Sequence, residues 1–101
     1  MAAEIRFRPL AVRDLFDLYD FIAAQSGRQR AGDYIGRIEA ACFQLKDFPE
    51  RGTKRDDLAP GLRTLGFEGR ATIAFRVQDG EVEIVRIFYG GRDIETALDE
   101  V

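Results

Sequence analysis

Apolar and polar positions change their spacing twice along this 101-residue chain. Glu4-Ile5-Arg6-Phe7-Arg8 alternates, which predicts a short edge strand stopped at Pro9. Pro9 suits the first turn of a helix. Ala11, Leu15, Leu18 and Ile22 follow at i, i+4, i+7 and i+11 and make one apolar helix face over about 10–24, with Asp14, Asp17 and Asp20 on another side. Ser26-Gly27 interrupts the pattern, and Ser26 is the expected cap of the next helix. Ala31, Tyr34, Ile35, Ile38, Cys42 and Leu45 repeat at helical spacing and predict a second helix over 28–46. So short a break makes the two helices an antiparallel hairpin. Gly32 and Gly36 are expected to mark close helix–helix approach, since glycine otherwise costs about 1 kcal/mol inside a helix.

Residues 52–61 read as a polar loop closed by Pro60-Gly61. Period two then returns, with strands expected at 62–67, 70–78 and 81–89 and two-residue turns at Glu68-Gly69 and Asp79-Gly80. That register sets Phe75 opposite Ile84, Val77 opposite Val82 and Ile73 opposite Arg86. In the other hairpin, Phe67 faces Arg70, Leu65 faces Thr72 and Arg63 faces Ala74. Alternation assigns Leu62, Ile73, Phe75, Val77, Val82, Ile84 and Phe88 to the side that packs on the helices. The opposite side receives Arg63, Leu65, Phe67, Arg70, Thr72, Arg76, Val85, Ile87 and Tyr89, a mixture of arginine and apolar groups suited to binding. A slip of one residue exchanges the two sets. Arg76 is expected to pair with Glu83 across the strands. Arg86 is expected to thread past the core edge toward Asp14 or Asp17. Arg70, Tyr89 and Arg92 gather at one end of the sheet as anion-binding candidates. The fold class is therefore α+β, one domain over 1–101: an edge strand and a helical hairpin on a three-stranded antiparallel meander.

Composition narrows the function classes. The chain is 46% hydrophobic and 33% charged, too apolar for a disordered protein. A net charge of −3 argues against a general nucleic-acid binder. The charges are unevenly spread: Arg51, Lys54, Arg55, Arg63 and Arg70 share one stretch, and Asp93–Val101 is acidic. With no histidine, Ser-His and Cys-His catalysis and histidine metal sites are excluded. The single cysteine, Cys42, lies on the apolar stripe of the second helix and fits a reducing compartment. Residues 1–10 carry no signal-peptide pattern, and no run approaches the roughly 20 apolar residues of a membrane span. A cytoplasmic location is expected, with no cofactor and no metal.

Five segments, in order, carry a family likeness. Asp14-Leu15 through Phe21-Ile22-Ala23 resembles a first-helix "DL…YI" segment. Pro49-x-x-Gly52 resembles a loop after the second helix, and Gly61-Leu62-Arg63 a "GLR" start of the sheet. Ile73-Ala74-Phe75-Arg76-Val77 resembles an "I-x-Y-R-V" strand. Val82 through Asp93 resembles "V-x-I-x-R-V-L-H-G-x-R-D". Together they resemble the ParE/RelE toxins of type II toxin–antitoxin systems, the ParE branch more closely.

That resemblance implies a labile antitoxin, of ribbon-helix-helix type, that wraps and blocks the chain in a hetero-oligomer. It also implies a target. ParE-like members poison DNA gyrase without being nucleases, whereas RelE-like members cut mRNA in the ribosomal A site with basic residues and a C-terminal tyrosine. Aligned strand to strand, Arg63 and Arg92 fall where the nuclease branch has basic residues. Leu65 and Thr72 replace further basic groups, Leu98 falls near the tyrosine, and Tyr89 stands where many relatives have histidine. The weak catalytic candidates are therefore Arg63, Arg70, Tyr89 and Arg92, and gyrase poisoning is the favoured reading. A ribosome-dependent endoribonuclease is the alternative, and a degenerate toxin acting only as a binding module the third. Residues expected to meet a partner are Leu15, Leu18, Arg63, Leu65, Phe67, Arg70, Tyr89 and Arg92, with an antitoxin tail lying across both helices and the mixed sheet face. The segment from Gly90 to Val101 is expected to touch gyrase.

Overall fold

The computed structural model describes residues 4–90. Arg92 and Leu98, and the expectations placed on 91–101, lie outside the described residues. Strand β1 (Glu4–Phe7) leads into helix α1 (Pro9–Ser26), helix α2 (Arg28–Gln44), and strands β2 (Thr53–Lys54), β3 (Leu62–Phe67), β4 (Ala71–Gln78) and β5 (Glu81–Tyr89). The sheet has five strands in the order β1-β5-β4-β3-β2. The predicted meander is its centre. β1 adds to it in parallel to β5, with Ile5 beside Val82 and Phe7 beside Ile84. β2 arises within the expected loop and pairs with β3 through Thr53–Thr64 and Lys54–Arg63. Gly52 makes that pairing sterically feasible: its φ is +82°, and a Cβ there would collide with the Thr64 carbonyl.

Both helices form where their apolar stripes predict. Pro9 opens α1 behind Arg8, whose φ of −69° and ψ of 154° are extended. Ser26 does not cap α2. It is the last residue of α1, and Gly27 (φ 94°) serves both helix ends without a side-chain cap. Gly32 and Gly36 do not mark close approach either, because a Cβ at each would meet nothing within 4 Å. Ala11 and Leu18 of α1 and Tyr34, Ile38 and Cys42 of α2 turn to the sheet. There they meet Ala71, Ile73, Phe75, Val82, Ile84 and Ile87.

Two single-residue irregularities re-sort the side chains. Glu68 (φ 50°) and Gly69 (φ 70°) make the expected turn, and the Arg70 N–H donates to the Phe67 carbonyl at 3.1 Å. The strands then resume with Phe67 opposite Ala71, so Arg70 is an extra residue. Leu65 thus faces Ile73 and Arg63 faces Phe75, one place away from expectation. In the second hairpin Phe75–Ile84, Arg76–Glu83 and Val77–Val82 pair as expected, until a bulge between Ala74 and Phe75 sets Ala74 opposite Arg86 and Ile73 opposite Ile87. Leu65, Phe67, Ile87 and Tyr89 consequently join the helix-side core. Leu62 and Phe88 move to the far side, where Ala74, Val85, Leu58 and Ala59 form a second cluster. The far face is therefore not an open arginine-and-apolar surface.

Val77 was expected in the core but is 39% exposed. β3 stops at Leu62 opposite Arg76, which leaves Val77 no neighbour on that side, while Val82 is flanked by Ile5. Arg76 lies opposite Glu83 without pairing to it. Arg8 takes the Glu83 carboxylate at 3.2 Å, and the Arg76 Nε has no hydrogen-bond partner. Arg86 does reach Asp14: Nε donates to Oδ2 at 2.8 Å and Nη2 to Oδ1 at 3.0 Å. The same Oδ2 accepts the Ile87 N–H at 2.9 Å, beyond the point where β1 stops covering β5. Among the described residues no helix is long and apolar enough to cross a membrane.

Candidate functional site

The catalytic candidates do not converge. Arg63, at the start of β3, donates Nη1 to the Glu50 carbonyl at 2.9 Å. Arg70 lies beyond the other end of that strand, roughly 16 Å away at about 3.3 Å per residue. The basic stretch is also tied up internally. Arg55 holds Asp57 through two bonds of 3.0 Å, and Arg51 stacks over Phe48 at 5.7 Å.

Arg70 and Tyr89 do share a site, at the turn end of the helical hairpin. They line a cleft of about 280 Å³ with Phe21, Arg30, Tyr34 and Arg37 among its walls. The extra residue in the β3–β4 turn delivers Arg70 to the helix side. Aromatic rings build the inner wall: Tyr34 meets Phe67 at 5.6 Å and Tyr89 at 6.0 Å, and Tyr89 meets Phe21 at 5.9 Å, all edge to face. Arg37 grips Glu68 with Nε and Nη2 at 2.8 and 3.1 Å and lies 5.4 Å from the centre of the Tyr34 ring. Burial, then the neighbouring Tyr89 and Glu68, raise the Tyr34 pKa, so its hydroxyl keeps its proton.

A second depression lies between the helices, where α1 presents Val12, Leu15, Phe16 and Tyr19 and α2 presents Ile35 and Glu39. Its volume is about 550 Å³, and Phe7 of β1 also lines it. Phe16 is 68% exposed, the most open large apolar side chain among the described residues. Of the partner-binding candidates on α1, Leu15 lines this groove, whereas Leu18 is buried in the core. Leu65 and Phe67 pack against the helix-side core. Sequence reasoning assigned α1 a single stripe and missed the groove, although Val12, Phe16 and Tyr19 at i, i+4 and i+7 form a second apolar line beside the first. It also read Tyr34 as core alone, and nothing local to α2 announces that Arg30 and Arg37 meet a sheet end.

Comparison with known proteins agrees with this architecture. The sequence profile of the ParE toxin of type II toxin–antitoxin system, parDE, matches residues 5–94. Toxin ParE3 of Caulobacter vibrioides is 32% identical over 98 residues, covering 97% of this chain and 96% of that protein. Among solved structures, a chromosomal ParDE toxin–antitoxin system from P. aeruginosa superposes with a TM-score of 0.78 at 27% identity, over 88% of this chain and 97% of that one. The toxin–antitoxin complex RelBE2 from Mycobacterium tuberculosis shares the fold, with a TM-score of 0.64 at 23% identity over 91% of this chain and 95% of that one. With a helical hairpin on a meander, a profile match over nearly its whole length and a curated relative of the same size, the chain belongs to the ParE toxin family of type II toxin–antitoxin systems.

Proposed function

We propose that this toxin inhibits DNA gyrase and is neutralised by a cognate antitoxin whose apolar segment fills the groove between α1 and α2. The observation that carries the antitoxin half is the groove itself, with Phe16 68% exposed on one wall. An amphipathic helix laid there buries Val12, Phe16 and Tyr19 at once. The relatives point the same way: the P. aeruginosa structure is a ParDE toxin–antitoxin system. The gyrase half rests on family membership and on the scattered chemistry. Cleaving RNA by 2′-hydroxyl attack needs a base, an acid and phosphate-neutralising charge in one place. Here Arg63 sits at one end of β3 and Arg70 with Tyr89 at the other. Poisoning a topoisomerase needs no proton transfer from the toxin.

Two assays test the halves separately. The purified chain is expected to block gyrase supercoiling and to leave mRNA on ribosomes uncut, and removal of residues 93–101 should abolish the block while sparing antitoxin binding. Supercoiling unaffected by excess toxin, together with A-site cleavage lost on Tyr89→Phe, establishes the endoribonuclease reading instead. Phe16→Asp should weaken binding of the antitoxin encoded beside it by about thirtyfold, equivalent to roughly 2 kcal/mol for a central apolar anchor. Unchanged affinity places the antitoxin elsewhere.

A further inference from the structure

The cleft at the turn end of the helical hairpin shares no lining residue with the groove. Its charges are Arg30, Arg37 and Arg70 against Asp33 on the wall and Glu68 at the rim, a surplus of one positive charge. Arg37 is committed to Glu68 through a two-pronged bond. Arg30 and Arg70 make no ion pair and no side-chain hydrogen bond with any described residue. Tyr34 lines the same cleft; it is 8% exposed, and its hydroxyl has no hydrogen-bond partner among the described residues. It shares that lining with Arg37, Arg70 and Tyr89, and its ring meets that of Tyr89 edge to face at 6.0 Å.

A buried hydroxyl left without a partner is costly, and the group it lacks is an acceptor. We infer that this cleft is a binding site for a carboxylate, an Asp or Glu side chain carried by a protein partner, held by Arg30 and Arg70 and hydrogen-bonded by the Tyr34 hydroxyl. Three observations set the ligand chemistry. The surplus of one charge balances a monoanion, where a phosphate dianion would leave the cleft negative. The Arg37–Glu68 pair at the rim shows that a carboxylate already fits a guanidinium there. The Phe21, Tyr34 and Tyr89 rings give the methylene stem and its peptide an apolar wall. Because the Tyr34 hydroxyl is screened from water, the incoming oxygen reaches it only as a neighbouring side chain moves aside.

The test uses the full-length chain and simple probes, so it stands apart from any antitoxin or gyrase assay. Arginine Nε–H resonances are followed by NMR during titration with N-acetylglutamate N-methylamide, its neutral glutamine isostere, and inorganic phosphate. The glutamate probe is expected to shift Arg30 and Arg70 saturably and to bind at least about tenfold tighter than the isostere, because a charged acceptor strengthens each hydrogen bond. Combined Arg30→Gln and Arg70→Gln replacement, at two exposed positions, should abolish the response. Tyr34→Phe should weaken the probe severalfold without lowering the melting temperature, since the hydroxyl it removes bonds nothing in the free protein. Three results overturn the inference: equal response to the isostere, tighter binding of phosphate, or a glutamate response that survives loss of both arginines.

Discussion

Replacing Asp14 by alanine strips three hydrogen bonds from one buried point. Its carboxylate receives Arg86 Nε at 2.8 Å, Arg86 Nη2 at 3.0 Å and the Ile87 N–H at 2.9 Å. Both side chains are nearly closed to solvent, at 4% for Arg86 and 9% for Asp14, so water does little to screen the pair. Removing one member of such a pair costs about 3–5 kcal/mol, because a buried guanidinium loses the carboxylate that balances its charge. The orphaned Ile87 N–H contributes to that loss, at roughly 1–3 kcal/mol alone. At about 4–8 °C per kcal/mol for a domain of this size, Asp14→Ala should lower the melting temperature by at least about 12 °C. Thermal unfolding followed by circular dichroism reads this directly. The double replacement Asp14→Leu with Arg86→Met removes both charges and should recover roughly half the loss or more. A single variant that melts within about 2 °C of wild type, well under 1 kcal/mol, refutes the assignment of this pair as a structural clamp.

Other outcomes follow from features nearby. Gly32→Ala and Gly36→Ala should each stabilise the free chain by about 0.5–1 kcal/mol in chemical denaturation, because both positions are helical with open space where a Cβ would go. Burial pushes the Cys42 thiol up to about 12, so alkylation at pH 8 should proceed only as fast as the protein unfolds. The Arg37 hydrogen bonds hold the Glu68 carboxyl below its ordinary value of 4.5. A carboxyl lowered by folding contributes stability above its unfolded value and loses it as pH falls through the folded one. The gap in stability between wild type and Arg37→Gln should therefore be constant above about pH 5 and close under more acid conditions.

The parts of the fold that a linear pattern encodes were legible. Ala11, Leu18, Ile38 and Cys42 sit on helical stripes and are buried. Asp79-Gly80, with φ of 51° and 77°, gives the tight turn that its residues dictate, and the register near it holds. Reading failed at the irregularities. Arg70 as an extra residue and the bulge beside Val85 have no compositional signature, yet each moves the rest of its strand to the other face. Leu65, Phe67, Leu62 and Phe88 were assigned to the wrong sides for that reason alone. The Arg86–Asp14 contact was foreseeable because a buried arginine requires an acid and the nearby helix supplies one. The cleft was half legible. Arg70 and Tyr89 follow from the strand end, but Arg30, Tyr34 and Arg37 reach it only through tertiary packing.

The placement of β5 has a bearing on the timing of synthesis. It is the last strand of the described chain, yet it lies between β1 and β4, and Asp14 waits 72 residues for Arg86. While the ribosome adds the chain beyond α2, the hairpin has no sheet to cover and its apolar faces stay open. At about 5–20 residues per second that interval lasts roughly 2–9 s. A nascent chain stopped before Glu81 lacks the strand that joins β1 to the rest, so abortive products should be unfolded and harmless. Completion of the last strand, with its distant partners, is then the step that turns a translation product into a folded toxin.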